Sequence, residues 1–180
     1  MCINGRLAKF GLLPILLLFL LILIVQFIGF GCGKTTEPKD DPSGRLTNSS
    51  GCISYLSTSK VSLVPPCCTD MSYEYNSESE TLTVLHNGAG FNCCTEASAE
   101  ITFDDNLILI DENESGDHCS CLCLFNIEYE FENIIPGVYT IRFIEIYATD
   151  DDIPLEMTFD LSLNPTGSVS IERNHYPWDD

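Results

Sequence analysis

Cys119-Ser120-Cys121-Leu122-Cys123-Leu124-Phe125-Asn126-Ile127-Glu128-Tyr129-Glu130-Phe131 is the stretch on which the fold turns. Side chains on a strand alternate between two faces, so every second residue shares an environment. One face collects Cys119, Cys121, Cys123, Phe125, Ile127, Tyr129 and Phe131, and the other Ser120, Leu122, Leu124, Asn126, Glu128, Glu130 and Glu132. The first set is apolar or sulfur-bearing, so the three cysteines are predicted to extend a buried face. Residues i and i+2 on a strand point the same way with Cα atoms roughly 6.6 Å apart, which is poor geometry for bonding one another. Each cysteine is therefore expected to reach across to another segment.

The same period recurs on both sides. Met71, Tyr73 and Tyr75 alternate with polar residues, as do Ala99, Ile101 and Phe103, then Leu155 through Leu163, then Val169 and Ile171. Turn chemistry separates the runs: Asn76-Ser77-Glu78-Ser79, Asn87-Gly88-Ala89-Gly90 after the run Thr81 to His86, Asp104-Asp105-Asn106, Pro136-Gly137 and Asn164-Pro165-Thr166-Gly167. No long stretch after residue 50 carries a helical period. The expectation is all-β: a single antiparallel β-sandwich of about eight or nine strands, disulfide-rich. Asn133-Ile134-Ile135-Pro136-Gly137-Val138-Tyr139-Thr140-Ile141 resembles the Pro-Gly-x-Tyr entry to a late strand in immunoglobulin-like and transthyretin-like sandwiches. That resemblance implies a tight turn feeding a strand whose tyrosine packs inward, and implies no activity.

The N-terminus belongs to another regime. Arg6 and Lys9 precede an apolar run through Phe30 interrupted only by Gln26. A basic start followed by an apolar stretch is an export signal, and about twenty such residues also suffice to span a bilayer as a helix. Either reading leaves the basic end in the cytoplasm and the rest of the chain outside. Gly29-Phe30-Gly31-Cys32-Gly33 resembles the lipobox of bacterial lipoproteins, with Gly31 at the cleavage site and Cys32 as the lipid-bearing residue; Gly29 stands where an aliphatic residue is usual. The resemblance implies lipidation at Cys32, in competition with an uncleaved helix. The overlapping Gly31-Cys32-Gly33-Lys34-Thr35 is not a nucleotide loop, because Ile28 stands where its first glycine belongs.

The organisation read from these signals is a signal peptide or membrane-anchor segment over 1–31, with its apolar leader helix, a flexible tether over 32–50, and a β-sandwich domain over 51–180. The tether reading rests on the Pro, Asp, Ser, Thr and Lys content of Lys34 to Ser50. All 27 Asp and Glu follow residue 32, against six Lys and Arg, leaving about −21 on the exported part. Such a field excludes nucleic acid and anionic head groups as partners.

Ten cysteines are present. Cys2 and Cys32 fall in the leader, leaving Cys52, Cys67, Cys68, Cys93, Cys94, Cys119, Cys121 and Cys123 as disulfide candidates. If three of the first five take Cys119, Cys121 and Cys123, the other two remain to pair together. Adjacent cysteines are expected to serve separate bridges. Two metal readings compete. Thiolates of Cys119, Cys121 and Cys123 suit zinc or copper(I). Asp111-Glu112-Asn113-Glu114-Ser115-Gly116-Asp117 resembles the opening of a calcium loop, with Asp111, Asn113 and Ser115 as oxygen donors, but Leu122 stands where its bidentate glutamate belongs. The bland alternative is an acidic turn.

No nucleophile elbow or H-E-x-x-H motif accompanies the histidines His86, His118 and His175, so no catalytic residue and no cofactor is expected. The tail with Tyr176 and the sole tryptophan, Trp178, is expected to pack over an open end of the sandwich. The functional expectation is a lipid-anchored lipoprotein of the cell membrane or outer membrane with its domain outside the cytoplasm. It would act as a non-enzymatic binding or structural module toward an extracytoplasmic protein or ligand. A thiolate metal binder and a carboxylate-dependent hydrolase are the competing readings.

Overall fold

Nine strands alternate in burial along the residues that the computed structural model describes, 39–53, 68–175 and 177–178. They are β1 (Ser43–Ser49), β2 (Cys68–Asn76), β3 (Thr81–Asn92), β4 (Glu96–Asp104), β5 (Leu107–Ser115), β6 (Leu122–Glu132), β7 (Val138–Ile144), β8 (Glu156–Asp160) and β9 (Thr166–Glu172). The apolar leader, Cys32, Cys67 and Tyr176 lie outside the described residues. Among the described residues no helix is long and apolar enough to cross a membrane.

The strands form two sheets, a five-stranded one ordered β1-β6-β3-β2-β9 and a four-stranded one ordered β4-β5-β7-β8. Inward residues of both sheets meet in one core that includes Met71, Leu82, Val84, Ile108, Ile110, Ile127, Phe131 and Ile141. The inward set of β6 is Phe125, Ile127, Tyr129 and Phe131, as the alternation predicts. On β7 the inward set is Tyr139, Ile141 and Phe143, so the tyrosine after Pro136-Gly137 packs inward.

Four features depart from the sequence expectation. First, pairing is not wholly antiparallel: β5 and β7 run parallel, with Leu107 opposite Thr140 and Ile110 opposite Phe143. The chain leaves β5, crosses to the other sheet as β6 and returns, and one intervening strand reverses direction twice. Second, Ser43–Ser49, inside the stretch read as tether, is strand β1, paired with β6 from Ser43 opposite Glu132 to Ser49 opposite Ile127. An edge strand draws its hold from backbone hydrogen bonds and needs little apolar content. Here Leu46 faces the core, and a Cβ at Gly44 would come 2.5 Å from the Phe131 ring. Third, Asn87-Gly88-Ala89-Gly90 is not a turn but a bulge inside the twelve-residue β3, where the register against β6 shifts between Asn87 and Ala89. Gly88 takes φ +75°, and a Cβ there would meet the Cys68 carbonyl oxygen at 2.7 Å. The extra residue switches the inward phase from Leu82, Val84 and His86 to Ala89 and Phe91. Fourth, Leu163 continues the apolar alternation of β8 in sequence but is 75% exposed, because the strand ends at Asp160 and a turn follows.

Among the described residues, three disulfides join the cysteine segments: Cys52 to Cys123, Cys93 to Cys121 and Cys94 to Cys119. Each of the three closely spaced cysteines reaches across to another segment, Cys123 to Cys52 and the other two to the adjacent Cys93 and Cys94, which serve separate bridges. Cys119 and Cys121 nevertheless precede β6, which begins at Leu122, and Cys121 is exposed, so they do not prolong the buried face. Loops of 25, 28 and 71 residues are nested. Closing the innermost restricts the unfolded chain by about 3.5 kcal/mol, and the 28-residue bridge then closes almost nothing new.

Candidate functional site

Six strands bring polar groups to one place at the core. Each group occupies the next inward position of its strand. Thr69 precedes Met71 and Tyr73 on β2; His86 follows Leu82 and Val84 on β3; Glu112 follows Ile108 and Ile110 on β5. Tyr129 lies on β6, Glu145 follows Phe143 just beyond β7, and Arg173 follows Ile171 just beyond β9. Residue exposures of 0% for His86, 2% for Glu112 and 1% for Arg173 put these three out of contact with bulk water, and Glu145 keeps 7%.

Burying charge in this way is costly unless each group is paired. His86 Nδ1 lies 2.7 Å from Glu112 Oε1, which also accepts the Tyr129 hydroxyl at 2.8 Å. His86 Nε2 lies 2.6 Å from Thr69 Oγ1 and 3.6 Å from Glu145 Oε1. Arg173 Nη2 donates to Glu145 Oε2, and its Nη1 donates to the Ile153 carbonyl at 2.7 Å. Burial alone would lower the imidazole pKa; Glu112 at Nδ1, with Glu145 on the other side, reverses this and pushes it up to about 10. The imidazolium then donates through both nitrogens. Burial likewise works to raise the Glu145 carboxyl, but His86 and Arg173 outweigh it and hold it below its usual range. Burial, reinforced by Glu112, drives the Tyr129 phenol strongly upward, so it stays a donor. Two acids and two bases balance when all are ionised. Glu112 Oε2, Glu145 Oε1 and Arg173 Nε make no hydrogen bond among the described residues.

The C-terminal tail closes the cluster. Trp178 is fully buried, its guanidinium neighbour Arg173 lies 5.7 Å from the ring centroid, and its Nε1 donates to the Gly88 carbonyl at 2.7 Å. The bulge at Gly88 thus presents the carbonyl that receives the tryptophan. A Cβ at Gly90 would press on Pro177 at 3.0 Å and Trp178 at 3.1 Å. Trp178 is therefore packed, as expected for a covering tail.

A second polar group organises the disulfides. Asn92 Oδ1 accepts the Cys94 and Cys119 amides, each at 3.1 Å, and its Nδ2 donates to the Cys119 carbonyl at 2.7 Å. Glu114 takes the Asn92 amide at 2.8 Å, the Thr95 hydroxyl at 3.1 Å and the Tyr147 hydroxyl at 2.8 Å. Burial disfavours this carboxylate, but these bonds hold its pKa below the usual range. Burial and the bond to Glu114 raise the Tyr147 phenol to about 12.

The sequence-predicted metal sites fare differently. Asp111, Asn113 and Ser115 alternate along the outward side of β5, so their oxygens are spread along a strand at roughly 6.6 Å per pair instead of wrapping an ion. Ile108 and Ile110 continue the strand through the acidic stretch, and Glu112 is taken into the core. The sulfurs of Cys119, Cys121 and Cys123 are each bonded to a cysteine of another segment, which uses them as covalent links instead of thiolate ligands. A depression of about 250 Å³ flanks the end of β7, lined by Arg142, Glu145, Asp152 and Ile153 among others. Asp152 there is already engaged by the Thr149 amide and hydroxyl at 2.6 and 2.8 Å. None of Thr69, Glu112, Tyr129, Glu145 and Arg173 was singled out from sequence, and His86 only as one of three histidines. The readable signal was a polar residue at an inward phase of an apolar alternation. No protein family, curated protein or solved structure matches this chain.

Proposed function

We propose that the chain is a lipid-anchored cell-envelope lipoprotein whose acidic, disulfide-stapled β-sandwich acts outside the cytoplasm as a non-enzymatic binding or structural module. The observation that carries the non-enzymatic half is the enclosure of the His86–Glu112–Glu145–Arg173 cluster. These are the residues best suited to proton transfer: His86, Glu112 and Arg173 are buried, Glu145 reaches the wall of the depression but is only 7% exposed and is held by Arg173, and Trp178 packs over Arg173. A catalytic pair must reach a substrate, whereas groups held this way serve the fold. Three disulfides support an oxidising compartment, and the basic start, apolar run and Cys32 support export and anchoring.

Metabolic labelling with an alkyne fatty acid tests the anchor. The full chain is expected to take the label and fractionate with membranes, while the Cys32→Ala chain takes none. A label unaffected by that change would overturn lipidation at Cys32, and membrane retention without any label in either chain would assign anchoring to an uncleaved helix.

A further inference from the structure

The three staples are not equivalent. The Sγ atoms of Cys52, Cys93 and Cys123 lie within 4.8 Å of one another, although Cys93 is bonded to Cys121 and only the other two to each other. Cys52 and Cys121 are exposed, while Cys93 and Cys123 are half-buried. Backbone hydrogen bonds hold the three segments in place independently of the sulfurs: Cys93 N to Cys121 O at 3.1 Å, and Ile53 N to Leu124 O at 2.9 Å. Opening the Cys93–Cys121 bridge costs the fold little, because the nested Cys94–Cys119 bridge still closes the same loop.

We propose that Cys52, Cys93 and Cys123 form a thiol–disulfide exchange node, in which an external dithiol that opens Cys93–Cys121 causes Cys93 to take over Cys123 and release Cys52. In the first step a thiolate of the dithiol attacks the exposed Cys121 Sγ. A mixed disulfide forms there, the Cys93–Cys121 bond breaks, and its electron pair leaves on Cys93. The second thiol of the reagent then displaces Cys121, so the dithiol leaves oxidised and Cys121 as a thiol; two electrons have passed to the protein. In the exchange step the Cys93 thiolate attacks Cys123 Sγ. The Cys93–Cys123 bond forms, Cys52–Cys123 breaks, and Cys52 departs as a thiolate that takes a proton from water. This step is electron-neutral.

Two arguments set its direction. Attack on Cys123 expels the exposed Cys52, whose thiolate is solvated, whereas attack on Cys52 would expel the half-buried Cys123 as an anion. The attacking and attacked sulfurs already lie within 4.8 Å of each other. The result is a redox-controlled release of the link that ties the chain after β1 to β6. The charge of about −21 on the exported part repels anionic thiols. The fitting reductant is a neutral dithiol, or a dithiol protein approaching with a basic face. This inference does not depend on how the chain is anchored.

The test treats the oxidised full chain with limiting dithiothreitol at pH 8, quenches with acid, blocks thiols with N-ethylmaleimide and maps the cross-links by peptide mass. The singly reduced species is expected to carry label on Cys52 and Cys121 with Cys93 joined to Cys123. Label on Cys93 and Cys121 with Cys52–Cys123 intact overturns the proposal, and so does first opening of Cys94–Cys119. The Cys121→Ser chain gives a second reading without reductant. Cys93 bonded to Cys123 and Cys52 labelled in most molecules is expected, and Cys93 labelled throughout overturns the node. If that variant does not accumulate, the wild-type experiment decides.

Discussion

His86 gives the sharpest handle on the buried cluster. Its folded-state pKa is pushed up to about 10 from an ordinary 6.5, with burial opposing the shift and Glu112 and Glu145 overcoming it. A base whose pKa is raised on folding stabilises the fold fully below its unfolded value, and that contribution disappears as pH rises through the folded value. Between pH 6.5 and about 10 the folded chain holds one proton more than the unfolded chain, so the unfolding free energy should fall by up to about 1.4 kcal/mol per pH unit. Across the whole window this reaches roughly 4 kcal/mol, a large fraction of the 5–15 kcal/mol typical of a domain. The assay is urea unfolding of the oxidised chain, followed by circular dichroism at pH 6.5, 7.5, 8.5 and 9.5, beside His86→Gln. The variant removes the proton-binding group and should lose most of the slope. Its deficit against wild type should be largest at pH 6.5, about 3–5 kcal/mol for an unbalanced buried charge, and shrink as pH rises. A flat wild-type profile, or the same slope in His86→Gln, would refute a charged imidazole in the folded state.

Other perturbations probe the surroundings. Glu145→Gln removes the partner of Arg173 and should cost about 3–5 kcal/mol in denaturant unfolding, whereas Arg173→Met combined with it should cost less than the two single changes summed. Trp178→Ala opens the cover over Arg173 and should cost about 3–5 kcal/mol; as Trp178 is the sole tryptophan, wild-type emission should be blue-shifted and move red at the same denaturant concentration as the global transition. Gly88→Ala, at φ +75° and with the Cys68 carbonyl 2.7 Å from the new Cβ, should destabilise more than Gly51→Ala, at φ +67° in open space. The second carries backbone strain alone, about 1 kcal/mol.

The legible parts of the fold were those in which apolar and polar residues alternate without interruption. Met71-Tyr73-Tyr75 and Phe125-Ile127-Tyr129-Phe131 are inward as read, and Asp104-Asp105-Asn106 makes a hairpin with Asp105 at φ 50°. The cross-segment habit of Cys119, Cys121 and Cys123 was legible from strand geometry, but their partners were not, because partner choice depends on which strands are neighbours. β1 was hidden because a strand at a sheet edge exposes most of its side chains and looks like a linker. The bulge was hidden because Asn87-Gly88-Ala89-Gly90 has the same positive-φ chemistry as a turn, and only the pairing with Asn126 and Phe125 tells them apart. The parallel β5–β7 pair leaves no local trace at all. The cluster was hidden for a different reason: His86, Glu112, Glu145 and Arg173 each look like the polar end of an apolar run, and their meaning appears only when six runs are superposed.

That superposition bears on why the cluster exists. A one-residue slip of any strand turns its apolar face to water and is heavily penalised. A two-residue slip is not, since Leu82, Val84 and His86 on β3, or Ile108, Ile110 and Glu112 on β5, would simply move along the same inward row. Alternation alone leaves those registers nearly degenerate. With the cluster present, moving β3 by two residues sets Val84 against Glu112 and carries the imidazole out of reach, stranding a buried acid at a cost of about 3–5 kcal/mol. The charges therefore act with the Gly88 bulge in selecting the register, and the nested disulfides lock it after oxidation. A chain carrying His86→Leu, Glu112→Leu, Glu145→Met and Arg173→Met together separates the two roles. With Tyr129→Phe and Thr69→Val added, so that neither buried hydroxyl loses its partner, the absence of buried charge should leave the global stability little changed. Registers two residues apart should then become populated in the reduced chain, seen as multiple amide resonances for β3 and β5. A single set of resonances in that chain would show that apolar packing alone fixes the register, and the cluster would be left without that role.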